Sequence, residues 1–212
     1  MKIIVISDTH GQHHGLSLPD GDTLIHCGDF CGWSTEKDVR NFLYWFLSQS
    51  HPNKIFISGN HEIPMEKEEF RNKIKRMVDG KAFYLHDSGI MIDNIKFYGS
   101  PWQPEFFDWA FNLPRKGPEL KAIWKRIPDD TDILITHGPP HGILDHTRNV
   151  LAPNMGCELL RERVKELNLK YHFFGHNHGG YGMDCYNGPA FVNAALCDNM
   201  NRIVNKPVVI NY

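Results

Sequence analysis

Lys2-Ile3-Ile4-Val5-Ile6-Ser7-Asp8-Thr9-His10 decides how this chain is read. Four β-branched residues run together with no polar alternation, so the segment reads as a strand buried on both faces. It stops on Ser7-Asp8-Thr9-His10, where a carboxylate and an imidazole stand two positions apart. The same arrangement recurs four times. Thr23-Leu24-Ile25-His26-Cys27 runs into Gly28-Asp29, and Lys54-Ile55-Phe56-Ile57-Ser58 runs into Gly59-Asn60-His61-Glu62. Asp132-Ile133-Leu134-Ile135-Thr136 runs into His137-Gly138, and the strand 170–174 runs into Gly175-His176-Asn177-His178. In open α/β sheets, ligands bind beyond the carboxyl ends of the strands. Five polar clusters at five such ends are expected to converge on one site.

The segments between these strands fill in an α/β layered fold. Val39, Phe42, Leu43, Phe46 and Leu47 recur at helical spacing and predict a helix over 35–49, capped by Ser34 or Thr35. A charged helix is expected over 66–79, with Phe70, Ile74 and Met77 on one face and Gly80 as its stop. Shorter helices are expected over 118–126 and over 155–168, the latter capped by Asn154. Short strands are expected at 82–85, 90–92, 95–99, 190–192 and 207–210. Residues 100–117, rich in proline and aromatics, read as a long loop with little regular structure. No repeat, low-complexity tract or linker interrupts the 212 residues, so one domain over 1–212 is expected.

Composition narrows the function. Twenty-three Lys and Arg against 25 Asp and Glu give a formal charge of −2, which disfavours binding of long nucleic acid. There is no apolar run long enough to span a membrane. Five cysteines without a CxxC pair argue against a disulfide framework. With no signal peptide in view, a cytoplasmic protein is expected. The 13 histidines are the outlier, since imidazole is the commonest metal ligand.

The donors at the strand ends are three oxygen ligands (Asp8, Asp29, Asn60) and four imidazoles (His10, His137, His176, His178). Seven are too many for one four-coordinate ion; they fit two ions that share a carboxylate and keep positions open. The N/O mixture suits Mn, Fe, Zn, Co or Ni better than Mg or Ca. At a strand end, residues i and i+2 project to one side, so Asp8 with His10, and His176 with His178, are each expected to serve one site. Gly28, Gly59, Gly138 and Gly175 are expected to let the chain approach an ion closely.

The ordered series D-x-H (8–10), G-D (28–29), G-N-H-E (59–62), T-H-G (136–138) and G-H-x-H (175–178) resembles the calcineurin-like metallophosphoesterase superfamily across nearly the whole chain. The connecting segments Tyr98-Gly99-Ser100-Pro101-Trp102, Phe111-Asn112-Leu113-Pro114-Arg115, 131–140 and Gly180-Tyr181-Gly182 are similar to its group of small metallophosphoesterase-domain proteins. The resemblance implies a four-layer α/β/β/α sandwich of two mixed sheets. It implies a phosphodiesterase dependent on Mn or a similar ion, and some relatives act on cyclic nucleotides. Asp8, His10 and His178 would hold the first of two divalent transition metal ions, and Asn60, His137 and His176 the second, with Asp29 bridging. The ions would sit roughly 3.5–4 Å apart, clamp the phosphoryl oxygens and supply a bridging hydroxide. His61 would assist the leaving oxygen, with Asn60 beside it facing the substrate. Certain animal members carry Gly at the first His of G-H-x-H; this chain keeps His176.

One departure bears on substrate. Phosphoprotein phosphatases of the superfamily carry an Asp where this chain has Gly32 and an Arg where it has Trp33. A dianionic monoester loses a cationic contact there, while a monoanionic diester needs it less. A small phosphodiester, nucleotides among the candidates, is therefore the expected partner, and Glu62 is the residue that could take over orienting the catalytic His. A nuclease of the same superfamily and a metal-binding scaffold without turnover are the alternatives; the oligomeric state is open. Arg115 and Arg148 are phosphate candidates with solvated surface as the default. His13, His14, His141 and His146 read as exposed loop residues and His26 as a core residue. Trp102, Phe106, Phe107 and Trp109 read as packed beneath their loop, and the cysteines as packing residues. Asn193 could hydrogen-bond near the site or form a turn.

Overall fold

The computed structural model describes residues 1–105, 107–147, 154–185 and 188–212. In chain order the strands are β1 (Lys2–Ile6), β2 (Thr23–His26), β3 (Asn53–Phe56), β4 (Phe83–Tyr84), β5 (Ser88–Ile92), β6 (Ile95–Ser100), β7 (Gln103–Pro104), β8 (Asn112–Leu113), β9 (Ile133–Thr136), β10 (Tyr171–Phe174), β11 (Gly182–Asp184), β12 (Ala190–Asn193) and β13 (Val208–Asn211). The helices are α1 (Glu36–Ser48), α2 (Glu68–Val78), α3 (Pro118–Lys125) and α4 (Glu158–Glu166).

Two mixed sheets form. The first has the order β13-β1-β2-β3-β4, parallel except for β13. The second has the order β11-β12-β10-β9-β6-β5, parallel in its middle and antiparallel at both edges. The β-branched run of β1 shows why it is continuous rather than alternating. Ile3 and Val5 pack with Ile25, Ile55, Phe97, Ile135, Phe173 and Val192 between the sheets. Ile4 and Ile6 turn the other way, onto α1 and α2 with Leu24, Phe42, Phe46, Phe56 and Ile74. A third apolar layer joins Tyr98, Leu134 and Phe174 to Leu120 and Trp124 of α3 and to Leu160 and Val164 of α4. The result is the expected α/β/β/α sandwich.

Thr35, rather than Ser34, caps α1. Its hydroxyl accepts from Asp38 N at 3.2 Å, and the Asp38 carboxylate accepts from Thr35 N at 3.0 Å, a reciprocal capping box. Two helices are shorter than their patterns predict. A 3-10 turn at Ile63–Glu66 precedes α2. The cap of α4 is Cys157, whose Sγ accepts from Leu160 N, because Asn154 is drawn into a bridge with His146. The expected loop 100–117 holds the two-residue parallel pair β7–β8, too short to leave a periodicity. No helix among the described residues is long and apolar enough to cross a membrane.

Candidate metal centre

The loops after β1, β2 and β3 of the first sheet and after β9 and β10 of the second meet at one end of the sandwich. Main-chain bonds tie them: Asp8 N donates to Gly28 O at 3.0 Å and Gly175 N to His137 O at 2.9 Å. Carboxylates complete the ties. Asp8 accepts from His176 N at 3.0 and 3.1 Å, and Asp29 Oδ1 accepts from His61 N at 2.8 Å.

Four of the donor residues have left-handed backbones: Asp8 (φ 54°), His10 (φ 42°), Asp29 (φ 57°) and His176 (φ 65°). Non-glycine residues adopt this conformation at a cost of about 1 kcal/mol each. This revises the expectation from strand alternation. Asp8 and His10 do face one point, but through turns rather than pleats. His176 and His178 part, each to a different group. Close approach is real at Gly59, where a Cβ would lie 2.6 Å from His137 Cε1 and would strike Asp29 Oδ1, and at Gly175, where it would strike Asp8. It is not required at Gly138, whose Cβ would meet nothing nearer than 3.7 Å.

The donor atoms form two adjoining groups, and a third, of His10, Asp29 and His61, overlaps both. Asp8, His10 and His178 bring their ligand atoms within 4.8 Å of one another, and so do Asp29, His137 and His176. In the first, His10 Nε2 lies 3.1 Å from His178 Nε2, which lies 3.4 Å from Asp8 Oδ1. In the second, His137 Nε2 lies 3.3 Å from Asp29 Oδ2 and 2.9 Å from Asn60 Oδ1. Asp29 Oδ2 is also 4.0 Å from His10 Nε2 and 4.0 Å from His61 Nε2, so it faces both groups.

The tautomers show that this pocket suits cations. His137 Nδ1 lies 2.9 Å from Cys27 O and His178 Nδ1 lies 2.8 Å from Asp198 O, so in each ring Nδ1 is the donor. The neutral rings then aim Nε2 lone pairs at carboxylate and amide oxygens. Lone pair against lone pair is satisfied only by a cation or a proton between them. The pKa shifts carry the same message. Burial opposes charge on both rings, yet Asp29 raises His137 to about 9 and Asp8 raises His178 to about 8. Asp8 and Asp29 are held well below the usual carboxylate range, since His178 and His137 outweigh burial. His176 is lowered to about 3 by burial. The donor set therefore fits divalent metal ions.

Glu62 does something other than orient His61. It is fully buried and accepts from Asp29 N at 2.9 Å, Cys31 N at 2.9 Å and Gly59 N at 2.6 Å, clamping the two loops together. Burial and the Asp29 charge push it up to about 7. The His61 ring stands 4.6 Å from the His10 ring and 4.1 Å from the Trp109 ring, between centroids. Trp109 thus packs against the site rather than merely beneath its loop. Asn193 donates to Asn177 O at 2.9 Å, and Asn177 donates to Leu144 O and His146 O, propping the loop of His176 and His178. No pattern in the sequence marks these props beyond polar residues beside a strand end.

Other expectations sort as follows. Arg115 is no phosphate ligand: it bonds Glu158 and the carbonyls of Met155 and Gly156, each at 2.8 Å. Arg148 and Phe106 lie outside the described residues. His26 is a core residue, bonded to Thr9 at 3.1 Å. His13 is buried against Phe42 and Trp45 rather than exposed. Trp102 is tied to Asp87 through Nε1, while Phe107 projects outward. Four cysteines are packed in the interior, and Cys185 is exposed.

Comparison with known proteins accords with this geometry. Residues 1–180 match the family described as calcineurin-like phosphoesterase. The chain is 36% identical to metallophosphoesterase domain-containing protein 1 of Homo sapiens, over 99% of this chain and 70% of that one. It is 34% identical to the UPF0046 protein K07C11.7 of Caenorhabditis elegans, over 99% and 74%. Among solved structures, phosphopantetheinyl hydrolase of Mycobacterium tuberculosis superposes with a TM-score of 0.64 at 16% identity, covering 94% of this chain and 90% of that one. With its two sheets, its convergent Asp and His loops and a family match over most of its length, the chain belongs to the calcineurin-like phosphoesterases, metal-dependent hydrolases of phosphoric esters.

Proposed function

We propose that the chain is a dinuclear phosphodiesterase of small substrates, nucleotides among them. Asp8, His10 and His178 would hold one ion, Asn60, His137 and His176 the other, and Asp29 would serve both. The observation that carries this reading is the position of Asp29 Oδ2, 3.3 Å from His137 Nε2 on one side and 4.0 Å from His10 Nε2 on the other. Manganese is the first choice because the family resemblance implies it, while the donor set suits Fe, Zn, Ni and Co equally. When bound, the ions polarise the phosphoryl oxygens and lower the pKa of the attacking water.

His61 acts on the leaving group. Water first loses a proton to solvent; the resulting hydroxide oxygen bonds to phosphorus, the bond from phosphorus to the leaving oxygen breaks, and its electron pair stays on that oxygen. His61 Nε2 donates the proton that this oxygen takes up. The diester preference rests on what surrounds the second loop. Gly32 offers no carboxylate, Trp33 is 87% exposed and offers no cation, and Arg115 is committed to Glu158.

The test is to strip the protein of metal and restore Mn, Fe, Zn, Ni, Co or Mg separately. Hydrolysis of bis(p-nitrophenyl) phosphate and p-nitrophenyl phosphate is then compared. The expected result is metal-restored activity with the diester favoured. A higher monoesterase rate would overturn the diester preference, and two bound ions without turnover on any ester would favour a scaffold.

A further inference from the structure

Among the described residues, the polar group facing the His61 ring is Asp29, 4.0 Å from Nε2, and none is bonded to the other ring nitrogen. That nitrogen, Nδ1, is buried, although a catalytic imidazole is ordinarily held by a carboxylate or carbonyl on that atom. The position that could supply a carboxylate is Gly32, and Glu62 spends its oxygens on three main-chain amides. What touches the ring instead is indole. The Trp109 and His61 rings are 4.1 Å apart between centroids and tilted at 30°, while His10 meets His61 nearly at right angles, 79°.

Trp109 is held firmly enough to serve as a stop. Ala110 N donates to Asn60 O at 3.0 Å, so the segment carrying Trp109 is fastened to the main chain one residue before His61. Phe111 N donates to Glu66 Oε1 at 2.8 Å, and Gln103 N donates to Phe111 O at 3.1 Å. The pair β7–β8 closes the segment from behind. Phe107 and Phe111 both take left-handed backbones, at φ 53° and 57°, a conformation aromatic residues adopt only when their surroundings impose it. The short parallel strands close the two ends of the segment that carries this indole.

We propose that Trp109 is a positioning residue that fixes the His61 imidazole by stacking, in place of the missing hydrogen-bonded carboxylate, so that Nε2 meets the leaving oxygen. The proposal rests on the phosphodiesterase reading above. Stacking restrains the tilt of a ring while leaving Nδ1 unbonded, and a small misplacement of a catalytic group costs large factors in rate.

Two readouts test it. The first uses the metal-free protein and no substrate. In NMR spectra, the His61 ring protons of wild type are expected upfield, under the Trp109 ring current, with one side-chain rotamer. In Trp109→Leu they are expected to move downfield with rotamer averaging, and in Trp109→Phe to stay near the wild-type positions. The second uses Mn-loaded protein on aryl methyl phosphates with leaving phenols of rising pKa. Trp109→Leu is expected to lower kcat about a hundredfold for phenol and only about threefold for p-nitrophenol, which needs little proton donation, with KM changed less than about twofold. Trp109→Phe is expected to restore most of the loss. Unchanged His61 resonances in Trp109→Leu would overturn the proposal, as would an equal loss for every leaving group or a loss confined to KM. A wild-type chain that cleaves no ester with any metal would overturn the phosphodiesterase reading instead, and the spectra would still decide the stack.

Discussion

His137 and His178 make a matched pair with unequal footing. Each donates Nδ1–H to a main-chain carbonyl and each aims Nε2 at a carboxylate. The carbonyl that holds His137 belongs to Cys27, at the buried end of β2. The carbonyl that holds His178 belongs to Asp198, in a surface turn tied by Arg202. One donor group is therefore built into the sheets and the other is propped by a loop. The comparison leads to the expectation that an ion in the rim group, with Asp8, His10 and His178, would exchange more readily than one in the deep group.

The sharpest way to break the comparison is to remove what both groups share. Asp29→Ala is expected to lower diesterase kcat by about a thousandfold, since ions in the site supply several kcal/mol. Metal analysis should find fewer than two ions per chain; two tightly bound ions with wild-type turnover would show that the halves do not depend on Asp29. Gly59→Ala, which drives a methyl group into Asp29 and His137, is expected to cost about a hundredfold, whereas Gly138→Ala should be close to neutral. Equal effects of the two substitutions would mean that close approach is not what the motif glycines provide.

Stability separates the halves directly. In the metal-free protein, His137→Ala strands Asp29 and the Cys27 carbonyl in the interior and is expected to cost about 2–3 kcal/mol in urea unfolding. His178→Ala leaves the buried Asp8 its bonds from His176 N and is expected to cost less, about 1–2 kcal/mol, and a reversed order would refute the deep-versus-rim distinction.

The smallest effects are those of pH, and they oppose each other. His137 and His178 are raised above the unfolded value of about 6.5, to about 9 and about 8. Their contribution is full below that value and is lost as pH rises through 8 to 9. His26 and His172 are lowered to about 3 by burial, so the unfolded chain takes protons first and stability falls as pH drops from about 6.5. His172→Gln is expected to flatten the acid limb of the metal-free protein, and an unaltered limb would place the acid sensitivity elsewhere.

The sequence reveals the ends of the strands better than the backbone between the donors. Buried parallel strands leave near-continuous apolar runs, β-branched in β1 and aromatic in β10, so β1, β2, β3, β9 and β10 are legible, and with them the residues that converge. The left-handed turns at Asp8, His10, Asp29 and His176 are not, because no local preference forces a histidine there; the meeting of five loops imposes it. For the same reason His176 and His178 were first paired and then part. Glu62 and Trp109 were visible as residues but not in their roles. A carboxylate that binds amides and an indole that binds an imidazole are decided by tertiary placement, which no spacing encodes.

The groups containing His178 and His137 each draw on both sheets: Asp8, His10, Asp29 and Asn60 follow strands of the first, and His137, His176 and His178 follow strands of the second. An ion in either group is thus a cross-link across the apolar layer, joining positions as far apart as 8 and 178. Both of the groups that include His178 or His137 need the two sheets docked, so metal uptake there is expected to report on docking. At about a thousandfold excess over its dissociation constant, an ion bound only by the folded chain adds roughly 4 kcal/mol to the stability of the whole sandwich.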